Sequence, residues 1–105
     1  MLVAETFKAL GDPVRLKIIE RLSSGSSYTL SSVSRDLGLT RQGARKHLQV
    51  LADADLVKMQ PVGRNTALTF APESLKAANS FIEQLERRWD VRLEALREFA
   101  ERDKS

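Results

Sequence analysis

The sequence predicts a mainly α fold: five helical segments and one short β-hairpin in a single domain spanning residues 1–105. Three observations carry this. Apolar residues recur at three- and four-residue steps along most of the chain. Caps and breakers (Asp12-Pro13, the Ser23–Ser27 run, Gly38, Thr40) fall between those stretches and not within them. Only around Pro61-Val62-Gly63-Arg64-Asn65 do two β-like runs flank a glycine turn.

Val3, Phe7 and Leu10 mark the apolar face of a first helix that Gly11 ends. Asp12 then supplies an N-cap, and Pro13 is already shaped for the first helical position. Leu16, Ile19 and Leu22, with Ile18 beside them, form the inner face of the second helix. Ser23-Ser24-Gly25-Ser26-Ser27 stops it.

Thr29 caps a third helix whose buried side is Leu30, Val33 and Leu37, and Gly38 suits the left-handed residue that commonly closes a helix. Only Leu39 separates it from Thr40, the next cap. A short helix, a glycine-containing turn and a second capped helix give the outline of a helix-turn-helix over about residues 29–54.

The fourth helix runs from Arg41 to about Ala54. Ala44, His47, Leu48 and Leu51 form its inward stripe, which leaves Arg41, Gln42, Arg45, Lys46 and Gln49 on the outward side. Gly43 costs roughly 1 kcal/mol against Ala in a helix. Two readings are open for it: close approach of a DNA backbone, or relief of crowding against a neighbouring helix. His47 reads as a packed or hydrogen-bonded residue.

Leu56–Gln60 and Thr66–Phe70 are the strands of a hairpin, about residues 56–70, with Arg64 and Asn65 at its tip. A hairpin directly after such a helix is the wing of a winged helix. From about residue 73 to 102 the pattern is one helix, about 45 Å long at 1.5 Å per residue. Its stripe is Leu75, Ala78, Ile82, Leu85, Trp89, Leu96 and Phe99, with Arg92 interrupting and Leu93 alongside. A helix of this length outruns one small core, so Ile82, Leu85, Trp89, Leu93 and Leu96 are expected to meet a second subunit; folding back over its own domain is the alternative.

Composition excludes several functions. With no cysteine and one histidine, the chain offers no disulfide framework, thiolate metal site or multi-histidine zinc site, and no metal or other cofactor is expected. No apolar run approaches the roughly 18 residues of a membrane span, and no signal peptide is visible, so a cytoplasmic protein without membrane association is expected. Neither a glycine-rich phosphate loop nor a Ser-His-Asp set can be argued, so an enzyme is not expected.

The net charge of +3 is unevenly spread: +1 over residues 1–34, +3 over 35–72 and −1 over 73–105. Gly38–Ala52 holds Arg41, Arg45 and Lys46 and no acid. Arg and Lys neutralise phosphate or donate to guanine, and Gln can bond adenine in two places, so this face suits double-stranded DNA. A solvated basic helix face is the plain alternative.

Phe7-Lys8-Ala9-Leu10-Gly11-Asp12-Pro13-Val14-Arg15-Leu16-Lys17-Ile18-Ile19 resembles the opening signature of the arsenic-repressor-like (ArsR/SmtB) family of winged-helix regulators. Thr40–Leu51 resembles that family's recognition helix, and Ala54-Asp55-Leu56-Val57 with Gly63-Arg64 resembles the passage into its wing. Trp89–Leu96 is similar to a subgroup often encoded beside small cavity-containing ligand-binding proteins. There are departures. Arg45 and Gly43 stand where the family commonly has Ser and Ala, so base preference does not transfer. Asp55 stands where Gly usually ends the fourth helix; Asp tolerates the left-handed conformation, so the turn is expected to survive. The family's thiolate sensor has no counterpart in Ser31–Asp36, and residues 73–105 contain no histidine for its other metal site.

The resemblance implies a homodimeric DNA-binding transcription regulator, a repressor rather than an activator, that does not sense metal. Gln42, Arg45, Lys46 and Gln49 are assigned to base edges or groove. Arg41 and Arg64 are assigned to phosphates, Asn65 to the wing tip's contact, and Thr40 to the cap with a phosphate in reach. A small organic effector between the terminal helices near Phe81 and Trp89 is left open. The alternative function is a winged-helix module that binds an acidic protein.

Overall fold

The structure is a computed structural model that describes residues 2–103. Helices α1 (Leu2–Leu10), α2 (Pro13–Leu22), α3 (Leu30–Asp36), α4 (Arg41–Asp53) and α5 (Glu73–Asp103) and strands β1 (Tyr28–Thr29), β2 (Val57–Val62) and β3 (Asn65–Phe70) follow in the order α1-α2-β1-α3-α4-β2-β3-α5. The strands form one antiparallel sheet in the order β1-β3-β2. The expected mainly helical winged helix-turn-helix, with its hairpin and long last helix, is the architecture found.

Local chemistry sets the element ends. Asp12 accepts from the Val14 and Arg15 amides at the start of α2, with Pro13 at the first helical position. Thr29 and Ser32 form a reciprocal capping box on α3, and Thr40 accepts from the Gly43 amide at the start of α4. Both helices of the helix-turn-helix close in the same way. Gly38 takes φ 65 after α3, and Leu39 N–H donates to Ser34 O at 2.8 Å. After α4, Asp55 takes φ 58, and Leu56 N–H donates to Leu51 O at 2.9 Å while Asp55 N–H donates to Ala52 O at 3.0 Å. These are the two bonds of a Schellman motif, with aspartate in the place usually given to glycine.

The core lies where α2, α3, α4 and the sheet converge. Ile18, Leu30, Val33, Ala44, Leu48, Leu51 and Leu56 are wholly buried there. Fully burying each of the large aliphatic side chains contributes about 1.5–3 kcal/mol. Ser74 Oγ, in the first turn of α5, donates to Ala54 O and Asp55 O at 3.1 and 3.2 Å, joining the start of α5 to the end of α4. Arg21 and Asp36 join α2 to α3 at 2.6 Å, and this carboxylate holds Arg21 above its ordinary pKa.

Three expectations are corrected. In α1 the buried residues are Thr6 and Ala9, while Phe7 points outward and meets Phe81 of α5 edge-on, with ring centroids 6.0 Å apart. In α2 the inner residues are Ile18 and Leu22, and Leu16 is 49% exposed. The face has turned because α2 packs on both α1 and α4, and Ile18, between Val14 and Leu22 on one helical row, faces that junction. Strand β1 was not expected; its two residues also cap α3, so Thr29 does both tasks.

The last helix does not fold back. It has 31 residues, and the chain measures 74 × 25 × 22 Å with a radius of gyration of 19.8 Å. A compact domain of this size would have about 13 Å. Everything in α5 beyond Ala78 is exposed.

Candidate nucleic-acid interface

A capped amphipathic helix has one buried row and one free face. Ala44, Leu48 and Leu51 of α4 are buried, and this fixes the helix's rotation. Arg41, Gln42, Arg45, Lys46 and Gln49 are consequently all exposed. Arg41, Arg45 and Gln49 follow one another at four-residue steps, with Gln42 and Lys46 beside them. Thr40, also exposed, closes the N-terminal end with its hydroxyl 3.0 Å from the Gly43 amide. No acidic residue stands in the first two turns; Asp53 in the last takes the Gln49 amide at 2.9 Å.

A Cβ on Gly43 would lie 3.0 Å from Thr40 Oγ1 and within 4 Å of nothing else outside its own helix and chain neighbours. Crowding against a neighbouring helix therefore does not explain this glycine. The only side chain it spares is its own helix cap.

The wing stands beside α4. Val62 pairs with Asn65 at the end of the hairpin, so Gly63 and Arg64 form a two-residue turn. Gly63 takes φ 60 in its first position, as a primed hairpin turn demands. Arg64 is exposed at the tip, and its carbonyl accepts from the Arg41 guanidinium at 3.3 Å. Arg41 is thus both an exposed cation at the start of α4 and a tie to the wing. Asn65 is only half-exposed: its Oδ1 accepts from the Thr66 amide at 2.9 Å and from the Ser31 hydroxyl at 3.3 Å.

Under α4 lies a polar contact that sequence reasoning did not assign. His47 Nδ1 is 3.3 Å from the Arg15 guanidinium and 3.9 Å from the Asp12 carboxylate. Arg15 Nε donates to Ala9 O at 2.6 Å, so one side chain joins the end of α1, the start of α2 and the inner face of α4. The Asp12 carboxyl is held below its ordinary pKa, first by the Arg15 amide bond, against a desolvation cost, with the Val14 amide and the charge of Arg15 adding to it. Asp12, Arg15 and His47 are all legible as residues, but the 32-residue separation of Arg15 and His47 carries no local signal.

A second exposed feature runs along α5. Ile82, Leu85, Trp89, Leu93 and Leu96 lie at three- and four-residue steps and are between 40% and 58% exposed. Leu93, rather than Arg92, continues the row. It leads into an apolar groove of about 480 Å³ lined by Phe7, Leu10, Leu75, Ala78 and Ile82, with Lys76 and Asn79 also on its wall. Among the described residues there is no cluster of three or more His, Asp or Glu able to hold a metal ion, and no helix long and apolar enough to cross a membrane.

A helix-turn-helix domain family matches residues 10–60. The HTH-type transcriptional regulator YuzN of Bacillus subtilis is 42% identical over 76 residues, covering 67% of this chain and 83% of that one. The HTH-type transcriptional regulator Rv2034 of Mycobacterium tuberculosis is 34% identical over 83 residues, covering 79% and 74%. Among solved structures, an ArsR-like transcriptional regulator from Rhodococcus sp. RHA1 superposes with a TM-score of 0.83 at 31% identity, covering 95% of this chain and 91% of that one.

Proposed function

The chain belongs to the ArsR family of helix-turn-helix transcriptional regulators, and on that premise we propose that it is a homodimeric repressor of a near-palindromic operator, one that does not sense metal. Regulators of this family bind DNA and are not enzymes. The chain has no cysteine for the family's thiolate sensor.

The carrying observation is the free face of α4: five polar side chains, three of them cationic, exposed together on a capped helix beside a wing. In this reading Gln42, Arg45, Lys46 and Gln49 meet base edges or groove. Arg41, Arg64 and the Thr40 hydroxyl meet phosphates, with Asn65 at the base of the wing tip. Two α4 helices enter successive major grooves with centres about 34–36 Å apart. The row Ile82, Leu85, Trp89, Leu93 and Leu96 is the dimer seam, and the groove beside Phe7 continues it.

The test is selection of bound sequences from random DNA, followed by titration at several salt concentrations. A dimer making about 6–10 phosphate contacts loses ~10³–10⁵ in affinity between 50 and 200 mM salt. Selected sequences should carry two related half-sites. Arg45→Ala should cost about 1–3 kcal/mol of discrimination at one position of each half-site. A salt response close to flat, or no enriched sequence, overturns the reading.

A further inference from the structure

We infer that Ser31 and Asn65 form a clasp that positions the wing, so that Ser31, on the first helix of the helix-turn-helix, is a positioning residue for DNA binding by Arg64. The inference rests on the reading of α4 and the wing as the DNA-binding surface.

Strand β1 has only two residues. Tyr28 pairs with Leu68 and Thr29 with Ala67, and then the chain turns into α3. The outer part of β3 therefore has β2 on one side and no strand on the other. Continuing the β1–β3 register by two residues brings Ser31 opposite Asn65. At that point the Ser31 hydroxyl, now on a helix, donates to Asn65 Oδ1 at 3.3 Å. A side-chain bond thus takes over where the ladder stops. The acceptor is itself held, because Asn65 Oδ1 also takes the Thr66 amide at 2.9 Å.

The position of this bond matters more than its strength. Asn65 directly follows Arg64 and forms the last ladder pair, with Val62. Pro61, Val62, Gly63 and Arg64 are all exposed, so no core packing orients the tip. The end of a two-stranded hairpin is marginally ordered in water by itself. Two ties supply the missing order: Ser31 to Asn65 from α3, and Arg41 to the Arg64 carbonyl at 3.3 Å from α4. With both in place, the Arg64 cation is presented at a fixed offset from α4, and less ordering has to be done on binding. Asn65, assigned from sequence to the wing tip's DNA contact, has its Oδ1 engaged in this clasp.

The experiment is a DNA-binding titration across salt concentrations, using sequences selected by the unsubstituted protein, for Ser31→Ala, Arg64→Ala and the double variant. Ser31→Ala should weaken binding by the dimer roughly 10- to 100-fold, the range of one net hydrogen bond in each protomer. It should also make the salt dependence shallower, towards that of Arg64→Ala, whose slope falls by about two units, roughly one for each protomer of the dimer. The double variant should bind no more weakly than Arg64→Ala alone, and Ser31→Thr, which keeps the hydroxyl, should restore the slope. Hydrogen exchange at the Thr66 amide should quicken in Ser31→Ala while the core amides stay protected. An unchanged slope in Ser31→Ala, or losses that multiply in the double variant, means that Ser31 acts independently of Arg64 and overturns the clasp alone. No DNA binding by the unsubstituted protein overturns the underlying reading and the proposal with it.

Discussion

The Arg15 guanidinium, on α2, lies 3.3 Å from Nδ1 of His47, on the inner face of α4. The same guanidinium donates to Ala9 O at 2.6 Å, so the helix that carries the candidate DNA face is tied to the end of α1 through one side chain. A hydrogen bond involving a charged group contributes about 1.5–3 kcal/mol. Arg15→Met, which keeps the aliphatic stem, should therefore lower stability by about that amount. Because His47 shares the contact, Arg15→Met and His47→Leu should be non-additive in urea unfolding by at least ~0.5 kcal/mol. Additive losses would show that the two residues act separately.

Asp12 gives a dependence on pH whose sign follows from its amide bonds. Its carboxyl is held below the ordinary value of 3.8, led by the Arg15 amide. A carboxyl more acidic in the folded than in the unfolded state adds stability in full above its unfolded pKa. That contribution is lost as pH falls through the lower, folded value. Asn caps a helix about as well as Asp but does not titrate. Asp12→Asn should thus remain folded at pH 7 and show a flatter fall in urea midpoint below pH 4. An acid limb as steep as that of the unsubstituted protein would remove Asp12 from the account.

Asp55 is the one non-glycine with positive φ among the described residues. Its Schellman bonds need the left-handed conformation, which costs an L-residue roughly 1–2 kcal/mol, and Asp somewhat less. Asp55→Gly removes that cost but frees the unfolded chain, which returns part of the gain. The expected net is a stabilisation of about 0.5–1 kcal/mol, read from the urea midpoint. Asp55→Val should lose more than ~1 kcal/mol. A destabilised glycine variant would mean that the aspartate side chain contributes something the backbone does not explain.

This turn also shows what was legible in the chain. Caps and breakers are local, so Asp12, Thr29 and Thr40 could be read one residue at a time, whereas the left-handed Asp55 followed from the family resemblance, which has glycine there. The outward face of α4 could be read as well, because Ala44, Leu48 and Leu51 fix its rotation. Phe7 and Leu16 could not. Both are apolar at helical spacing, and only the directions in which α1 meets α5 and α2 meets α4 decide which apolar row is buried. Strand β1 was hidden because two residues make no period. With β1 hidden, the register that brings Ser31 to Asn65 across 34 residues was hidden too.

The seam on α5 gives the last expectation, and it separates assembly from folding. Leu85 is 47% exposed, and Trp89, one turn on, is 58% exposed, so neither supports the core of its own chain. Leu85→Asp should accordingly leave a folded molecule with unchanged hydrogen exchange at Leu48 and Leu51. If the row is a dimer seam, a charge in its middle removes an apolar contact and leaves a carboxylate desolvated. An interface anchor of this kind carries at least about 2 kcal/mol, so the dimer dissociation constant should rise by roughly 30-fold or more. Sedimentation across a concentration series should then find the monomer–dimer transition moved to about 30-fold higher protein concentration or beyond. Each monomer neutralises half as many phosphates, so the slope of log affinity on log salt should also fall to about half. Ser80→Asp, which places the same charge on the opposite, exposed side of the same helix, is the control and should leave both measurements unaltered. A Leu85→Asp protein whose monomer–dimer transition does not move would place the seam elsewhere and leave the exposed row of α5 without an occupant.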